Sequence, residues 1–251
     1  MWSMGCDTGR MFWFEYPRDV VRVHGPDAQT YLQSQLSQDL RSMADGDSSW
    51  SFVLQPTGKV DVLLRVWRVA PEEFVLDTDA GLGDVMVARL NRFKIRVKAD
   101  IERLDWRCIA VRGEGAAAVP GLASWGEGVD LLGAEVVPPA DATAGTSEQF
   151  ELLRIAAAWP QMGAEVVPGE TIPAQTGITD VAVSFTKGCY PGQELVERMD
   201  SRGASAPRTV QRVTVPAGAQ AGDDYLVDGV VVGSITSVVG VDALALVKRG
   251  A

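Results

Sequence analysis

The first readable pattern along the chain is Val20-Val21-Arg22-Val23, an apolar, β-branched run short enough to predict a strand. Gly25-Pro26-Asp27 then predicts a helix start, with Ala28, Tyr31, Leu32 and Leu36 following at helical spacing. Strands are predicted over residues 51–54, 60–69 and 74–77, separated by the turn signals Gln55-Pro56-Thr57-Gly58 and Ala70-Pro71-Glu72-Glu73. Residues 82–90 read as a helix. The alternation Arg92-Phe93-Lys94-Ile95-Arg96-Val97-Lys98 predicts a strand with four cations on one face and three apolar residues on the other.

A second strand-to-helix step is predicted over residues 107–119, loops and short strands over 121–146, a periodic element over 148–158 and a short strand over 181–185. After Ala206-Pro207 the character changes to short strands at 209–215, 225–227, 230–237 and 243–247, divided by Gly and Asp turns. The expected organisation is an α+β region of two interleaved subdomains over residues 1–206 and a small antiparallel β-barrel over 207–251.

Composition narrows the chemistry. The 251 residues carry 23 Lys+Arg against 33 Asp+Glu, a formal net charge of −10, which argues against nucleic-acid or anionic-membrane binding by the whole surface. Residues 1–16 have no basic-then-apolar secretory signal, and the apolar-leaning run 229–241 is too short and too rich in Gly, Ser and Thr to span a bilayer. Three cysteines, Cys6, Cys108 and Cys189, are too sparse for a disulfide framework and fit a reducing compartment, so a cytoplasmic location is expected. A single histidine, His24, removes multi-histidine metal sites, and no metal is expected.

Gly113-Glu114-Gly115-Ala116-Ala117-Ala118 formally fits a GxGxxA dinucleotide fingerprint, but Pro120 curtails the helix, and a plain turn is the favoured reading. The sharper constellation is Lys187-Gly188-Cys189-Tyr190-Pro191-Gly192-Gln193-Glu194, running into Leu195-Val196-Glu197-Arg198. Gly188 and Pro191-Gly192 predict a constrained loop displaying Cys189, and Lys187 with the following helix N-terminus would favour its thiolate. The alternative is a small buried cysteine filling a turn. Residues 187–212 hold Lys187, Arg198, Arg202, Arg208 and Arg212 against Glu194, Glu197 and Asp200, a basic balance in an acidic chain.

The run at 187–194 resembles the signature of the YgfZ family of folate-binding proteins, relatives of the glycine cleavage T-protein. The resemblance extends to 21–28, to the Gln55-Pro56-Thr57-Gly58-Lys59-Val60 turn, to Ala158-Trp159-Pro160 and Ile172-Pro173, and to Gly233-Ser234-Ile235-Thr236-Ser237. It implies a cloverleaf of α+β domains around a central hole, with a ferredoxin-like portion, a C-terminal barrel and tetrahydrofolate as ligand. It further implies a role in assembling or repairing iron–sulfur enzymes, with those clients or assembly proteins as partners. Cys189 would be the active thiol and Lys187 its cationic neighbour, with Gly188, Tyr190, Gly192, Gln193, Glu194 and Arg198 shaping the motif loop and helix. Phe150, Trp159 and Gln175 would contact folate, although core packing accounts equally well for Phe150.

Two departures bear on the reaction. Asp61 sits about one residue early for the acidic pair used in aminomethyl transfer, and a one-residue shift reverses the face of a strand. Gln175 stands where many relatives place a pterin-binding glutamate, which leaves a neutral amide in place of a charge-assisted contact. The expected function is therefore folate binding with a reactive cysteine. A folate-dependent aminomethyltransferase is the alternative, and a thiol scaffold without folate is a third possibility.

Overall fold

The computed structural model describes residues 10–201 and 206–250; Cys6 and Arg202 lie outside them. In chain order the elements are β1 (Phe12–Glu15), β2 (Arg18–His24), α1 (Ala28–Gln35), β3 (Ser48–Leu54), β4 (Val60–Ala70), β5 (Glu73–Asp79) and α2 (Gly83–Arg92). Next come β6 (Asp100–Leu104), β7 (Arg107–Arg112), β8 (Leu122–Ala123), β9 (Gly128–Gly133), β10 (Thr143–Ala144) and α3 (Ser147–Ala156). The chain finishes with α4 (Thr179–Ala182), α5 (Gln193–Ser201), β11 (Arg208–Thr214), β12 (Asp224–Val227), β13 (Val230–Val239) and β14 (Asp242–Lys248).

These form an α+β architecture of three sheets. The first has strand order β3-β4-β5-β2-β6, the second β10-β1-β7-β9-β8, and the C-terminal one β11-β14-β13-β12. Helices α1 and α2 bury Tyr31, Leu32, Met86 and Leu90 against Val21, Leu64 and Leu76 of the first sheet. The other face of that sheet shares a second core with β7, α3 and the chain after it, where Trp50 meets Trp159 and Cys108 packs with Ala110 and Leu132.

Buried charges join the first two sheets. Arg65 Nε and Nη1 donate to Asp77 Oδ1 at 2.9 Å and Asp130 Oδ2 at 2.8 Å, linking β4 and β5 to β9. Arg18 donates to Asp77 at 2.8 Å and Asp79 at 2.5 Å, and Arg112 donates to Asp130 at 2.9 Å. Burial penalises the Asp130 carboxylate, but Arg112, Arg65 and Ser124 outweigh that and hold its carboxyl below the usual range. None of these charged pairs lies on a periodic polar face, and none was anticipated.

Three expectations are corrected. The run 92–98 is not a strand: Arg92 ends α2, Arg96 adopts φ +57°, and Ile95 is 77% exposed. The place beside β2 goes to β6, while Asp27 pins the turn by accepting from the Lys98 N–H at 2.7 Å. Residues 181–185 are likewise not a strand, because α4 occupies 179–182 and Ser37 Oγ donates to the Ala182 carbonyl at 2.7 Å. The C-terminal unit is an open four-stranded antiparallel sheet, not a closed barrel, since β11 and β12 stand at opposite edges and do not pair with each other. The Asp228-Gly229 hairpin turn, both residues at positive φ, is the tight type that short antiparallel strands need.

Candidate functional site

The motif loop is held by its lysine. Lys187 turns inward, and its ammonium donates to the carbonyls of Gln33 (2.7 Å), Leu36 and Gln38 (3.1 Å), at and just beyond the C-terminus of α1. A cation there satisfies carbonyls that have no helical partner and complements the helix dipole. The same nitrogen lies 4.9 Å from the centroid of the Tyr190 ring, itself buried, so two motif side chains lock together. Burial pushes the Lys187 ammonium down to about 8. Its contacts go to backbone carbonyls rather than to a thiolate.

Gly192 fixes the other end. At φ +82° it lies against the β3–β4 turn, where an added Cβ would come within 2.5 Å of the Gln55 carbonyl and 2.8 Å of Gly58 Cα. Gly58, at φ +83°, would likewise place a Cβ 2.5 Å from Leu195 Cβ on α5. Two sequence motifs that stand more than a hundred positions apart are thus in backbone contact. Gln193 begins α5 and its amide oxygen accepts from the Tyr190 N–H at 3.3 Å. Between these anchors Cys189 is exposed, as are Glu194 and Arg198, neither of which forms an ion pair among the described residues. Cys108, by contrast, is 2% exposed, and burial pushes its thiol well above the ordinary range.

Asp61 sits beside this loop. Its two carboxylate oxygens accept from Gln55 Nε2 at 2.8 Å and Arg89 Nε at 3.0 Å, and Arg89 also donates to the Leu54 carbonyl at 2.6 Å. Arg89 was missed in the sequence; its signal is a charge on the buried stripe of α2 with Gly83, Met86 and Leu90. Gln175 lies in a one-turn helix, residues 173–175, that packs against α5 and β11. Its amide oxygen accepts from the Ile172 N–H at 3.0 Å, which leaves the NH2 group as the end available to a ligand.

The aromatic residues are placed elsewhere. Phe150 is buried, stacked on Phe14 with centroids 4.7 Å apart and edge-on to Trp125 at 5.1 Å. It lines a cleft of about 620 Å³ between β1, α3 and the β13–β14 turn, to which Cys189, Gln175 and Trp159 do not contribute. Trp159 packs on Trp50 at 4.6 Å, and its carbonyl accepts from Arg154 at 2.6 Å. The structure therefore brings the Gln55–Asp61 segment and Arg89 against the Gly192–Leu195 end of the motif, packs the Gln175 turn on α5, and keeps Phe150 in a separate cleft.

The chain matches none of the protein-family models. An uncharacterized protein of Haemophilus influenzae is 30% identical over 190 residues, covering 74% of this chain and 67% of that protein. The tRNA-modifying protein YgfZ of Klebsiella pneumoniae is 27% identical over 218 residues, covering 74% of this chain. A mitochondrial iron–sulfur cluster assembly factor IBA57 homolog of Neurospora crassa is 23% identical over 233 residues, covering 80%. The chain spans 66% and 53% of the length of these last two relatives. Among solved structures, the glycine cleavage system aminomethyltransferase T of Bartonella henselae shares the fold, with a TM-score of 0.79 over 96% of this chain and 79% of that one at 18% identity.

Proposed function

Since the chain belongs to the YgfZ family, we propose that it binds tetrahydrofolate and supports the assembly or repair of iron–sulfur proteins, with Cys189 as its reacting thiol. The observation that carries this reading is the exposed Cys189 on a loop whose neighbours on both sides, Lys187 and Gly192, are fixed against other elements. A thiol held in this way is presented to a partner without the entropic cost of ordering its loop. The name of the IBA57 relative, an iron–sulfur cluster assembly factor, supports the iron–sulfur role, with client or assembly proteins as partners.

The residues present suit a folate. Gln175 offers an amide NH2 to acceptor nitrogens of a pterin, and exposed Lys59 and Arg198, on segments that meet where Gly58 touches Leu195, suit the carboxylates of a glutamate tail. Phe150 and Trp159 are buried against Phe14 and Trp50 and are given no folate contact. Aminomethyl transfer is not proposed, since both oxygens of Asp61, the carboxylate it would need, are held by Gln55 and Arg89.

Titration with tetrahydrofolate, followed by intrinsic tryptophan fluorescence, tests the ligand. A saturable change is expected, weakened by Gln175→Ala; no change at high micromolar ligand overturns the folate assignment. Cys189→Ser is expected to retain that binding and to lose support of iron–sulfur enzyme activity in cells lacking the endogenous protein.

A further inference from the structure

The open C-terminal sheet has two edges of different kinds. The 173–175 turn packs against β11 at one of them, whereas β12 at the other pairs with β13 alone. The tip of the β12–β13 hairpin is apolar on both faces. Val227 stands opposite Val230 on one face and Leu226 opposite Val231 on the other, and all four are exposed, Leu226 at 52% and Val230 at 63%. Contiguous apolar side chains on an unpaired edge mark a contact surface.

The backbone fixes which groups of β12 are free. Asp228 and Gly229, at φ +51° and +80°, form a two-residue hairpin turn, so the flanking Val227 and Val230 are a hydrogen-bonded pair. At the other end of the strand the Asp223 carbonyl accepts from the Ile235 N–H at 2.9 Å. Alternation between these two points turns the N–H and C=O of Asp224 and Leu226 away from β13, to the open side. Charge then selects what can pair with them. Asp223, Asp224 and Asp228 are exposed and free of ion pairs among the described residues, and Lys248 reaches the Val231 carbonyl from β14. A second β12, paired antiparallel about Leu226, would set Asp224 of each strand against Asp228 of the other, and like charges directly opposite are destabilising. A strand bearing cations meets attraction at the same positions.

We propose that β12 is the docking edge for an extended segment of another protein in which Lys or Arg alternates with apolar residues, added as a fifth strand of this sheet. The outward backbone groups of Asp224 and Leu226 supply its hydrogen bonds. On the face that carries Asp224 and Leu226, the partner's cations meet the carboxylates and lay their aliphatic stems along Leu226. On the other face its apolar residues extend the surface of Val227 and Val230. Neither Cys189, Lys187 nor Gln175 lies on this hairpin, so the assignment does not depend on the folate reading.

The test is a titration of the ¹⁵N-labelled full chain with the end-blocked synthetic heptapeptide Arg-Phe-Lys-Ile-Arg-Val-Lys. This peptide has the required alternation; the same run at 92–98 of the folded chain is not extended, since Arg96 has φ +57°. The Leu226 amide proton is expected to move downfield, to saturate and to exchange more slowly with solvent. High salt should weaken the response, and a peptide with Glu in place of every cation should give none. Leu226→Pro deletes the outward N–H and is expected to abolish the response, read at Val227, while Leu226→Ala keeps it in weakened form. Should Leu226→Pro disorder the hairpin, Asp224→Asn with Asp228→Asn takes its place and is expected to weaken the peptide about fivefold, the scale of two exposed charge pairs. The proposal is overturned if millimolar peptide leaves Leu226 in place, if the Glu peptide moves it as far, or if the double Asn variant binds unchanged. It is also overturned if Leu226 shifts with protein concentration alone, which would make a second copy of the chain the occupant.

Discussion

The Arg65 network and the Cys189 loop both enclose charged side chains and use them in opposite ways. In the network, Arg65, Asp77 and Asp130 are at most 1% exposed and saturate one another across two sheets. In the loop, one buried charge, Lys187, is spent on backbone carbonyls so that an uncharged neighbour, Cys189, stands in solvent. Enclosed charges fix how the sheets register against each other, and an anchored loop fixes where a thiol is presented. The largest contrast should appear on breaking each. Arg65→Ala leaves Asp77 to Arg18 and Asp130 to Arg112 but removes the link between the two sheets and empties a buried site, and it is expected to cost about 2–5 kcal/mol, measured by urea unfolding. A loss under about 1 kcal/mol would mean that water enters and solvates the carboxylates, and that the network does not join the sheets.

Lys187 belongs to both regions, being buried like the network and part of the loop, and pH separates its two roles. In the folded chain its amine titrates at about 8, against an ordinary 10.5, because burial disfavours the charge. The folded form therefore releases its proton at lower pH than the unfolded form, which binds more protons between about 8 and 10.5. Stability drawn from this group rises with pH across that window, and the full cost of enclosing the charge is present below it. Lys187→Met should flatten the dependence of unfolding free energy on pH between 8 and 10 relative to the unaltered protein. Parallel curves for the two proteins would show that the three carbonyls hold the ammonium at its ordinary pKa.

The contrast between the regions also explains what could be read before the structure was known. Strands β3, β4 and β5 were legible because Gly58 and Pro71 punctuate apolar runs, and the motif loop was legible because Gly188, Pro191 and Gly192 mark a constrained turn in one contiguous stretch. The network was not, since Arg65 looks like one more polar residue of a strand and its partners lie 12 and 65 positions away. The run 92–98 misled for the converse reason: perfect local alternation yields when α2 must end at Arg92 and β6 must begin at Asp100 beside β2. Lys187 stands out in the motif, but its partners are carbonyls at and just beyond the end of α1, and backbone acceptors leave no trace in a sequence.

The smallest effect on stability should come from the residue on which the proposed function rests. Cys189 is exposed, so Cys189→Ser is expected to change unfolding free energy by no more than about 0.5 kcal/mol. Its chemical consequence should be complete: native protein treated with a chromogenic disulfide reagent loses one rapidly reacting equivalent in the variant. Cys108 stays silent in both until denaturant is added, because an enclosed thiol with a raised pKa offers neither access nor thiolate. If Cys189→Ser shows as many fast equivalents as the unaltered protein, counted with Cys6 present in both, the presented thiol is not Cys189, and the loop serves only to tie α1 to the β3–β4 turn. If one fast equivalent disappears while Arg65→Ala destabilises the chain by the expected amount, the division between a charge network that holds the sheets and a loop that displays one thiol stands.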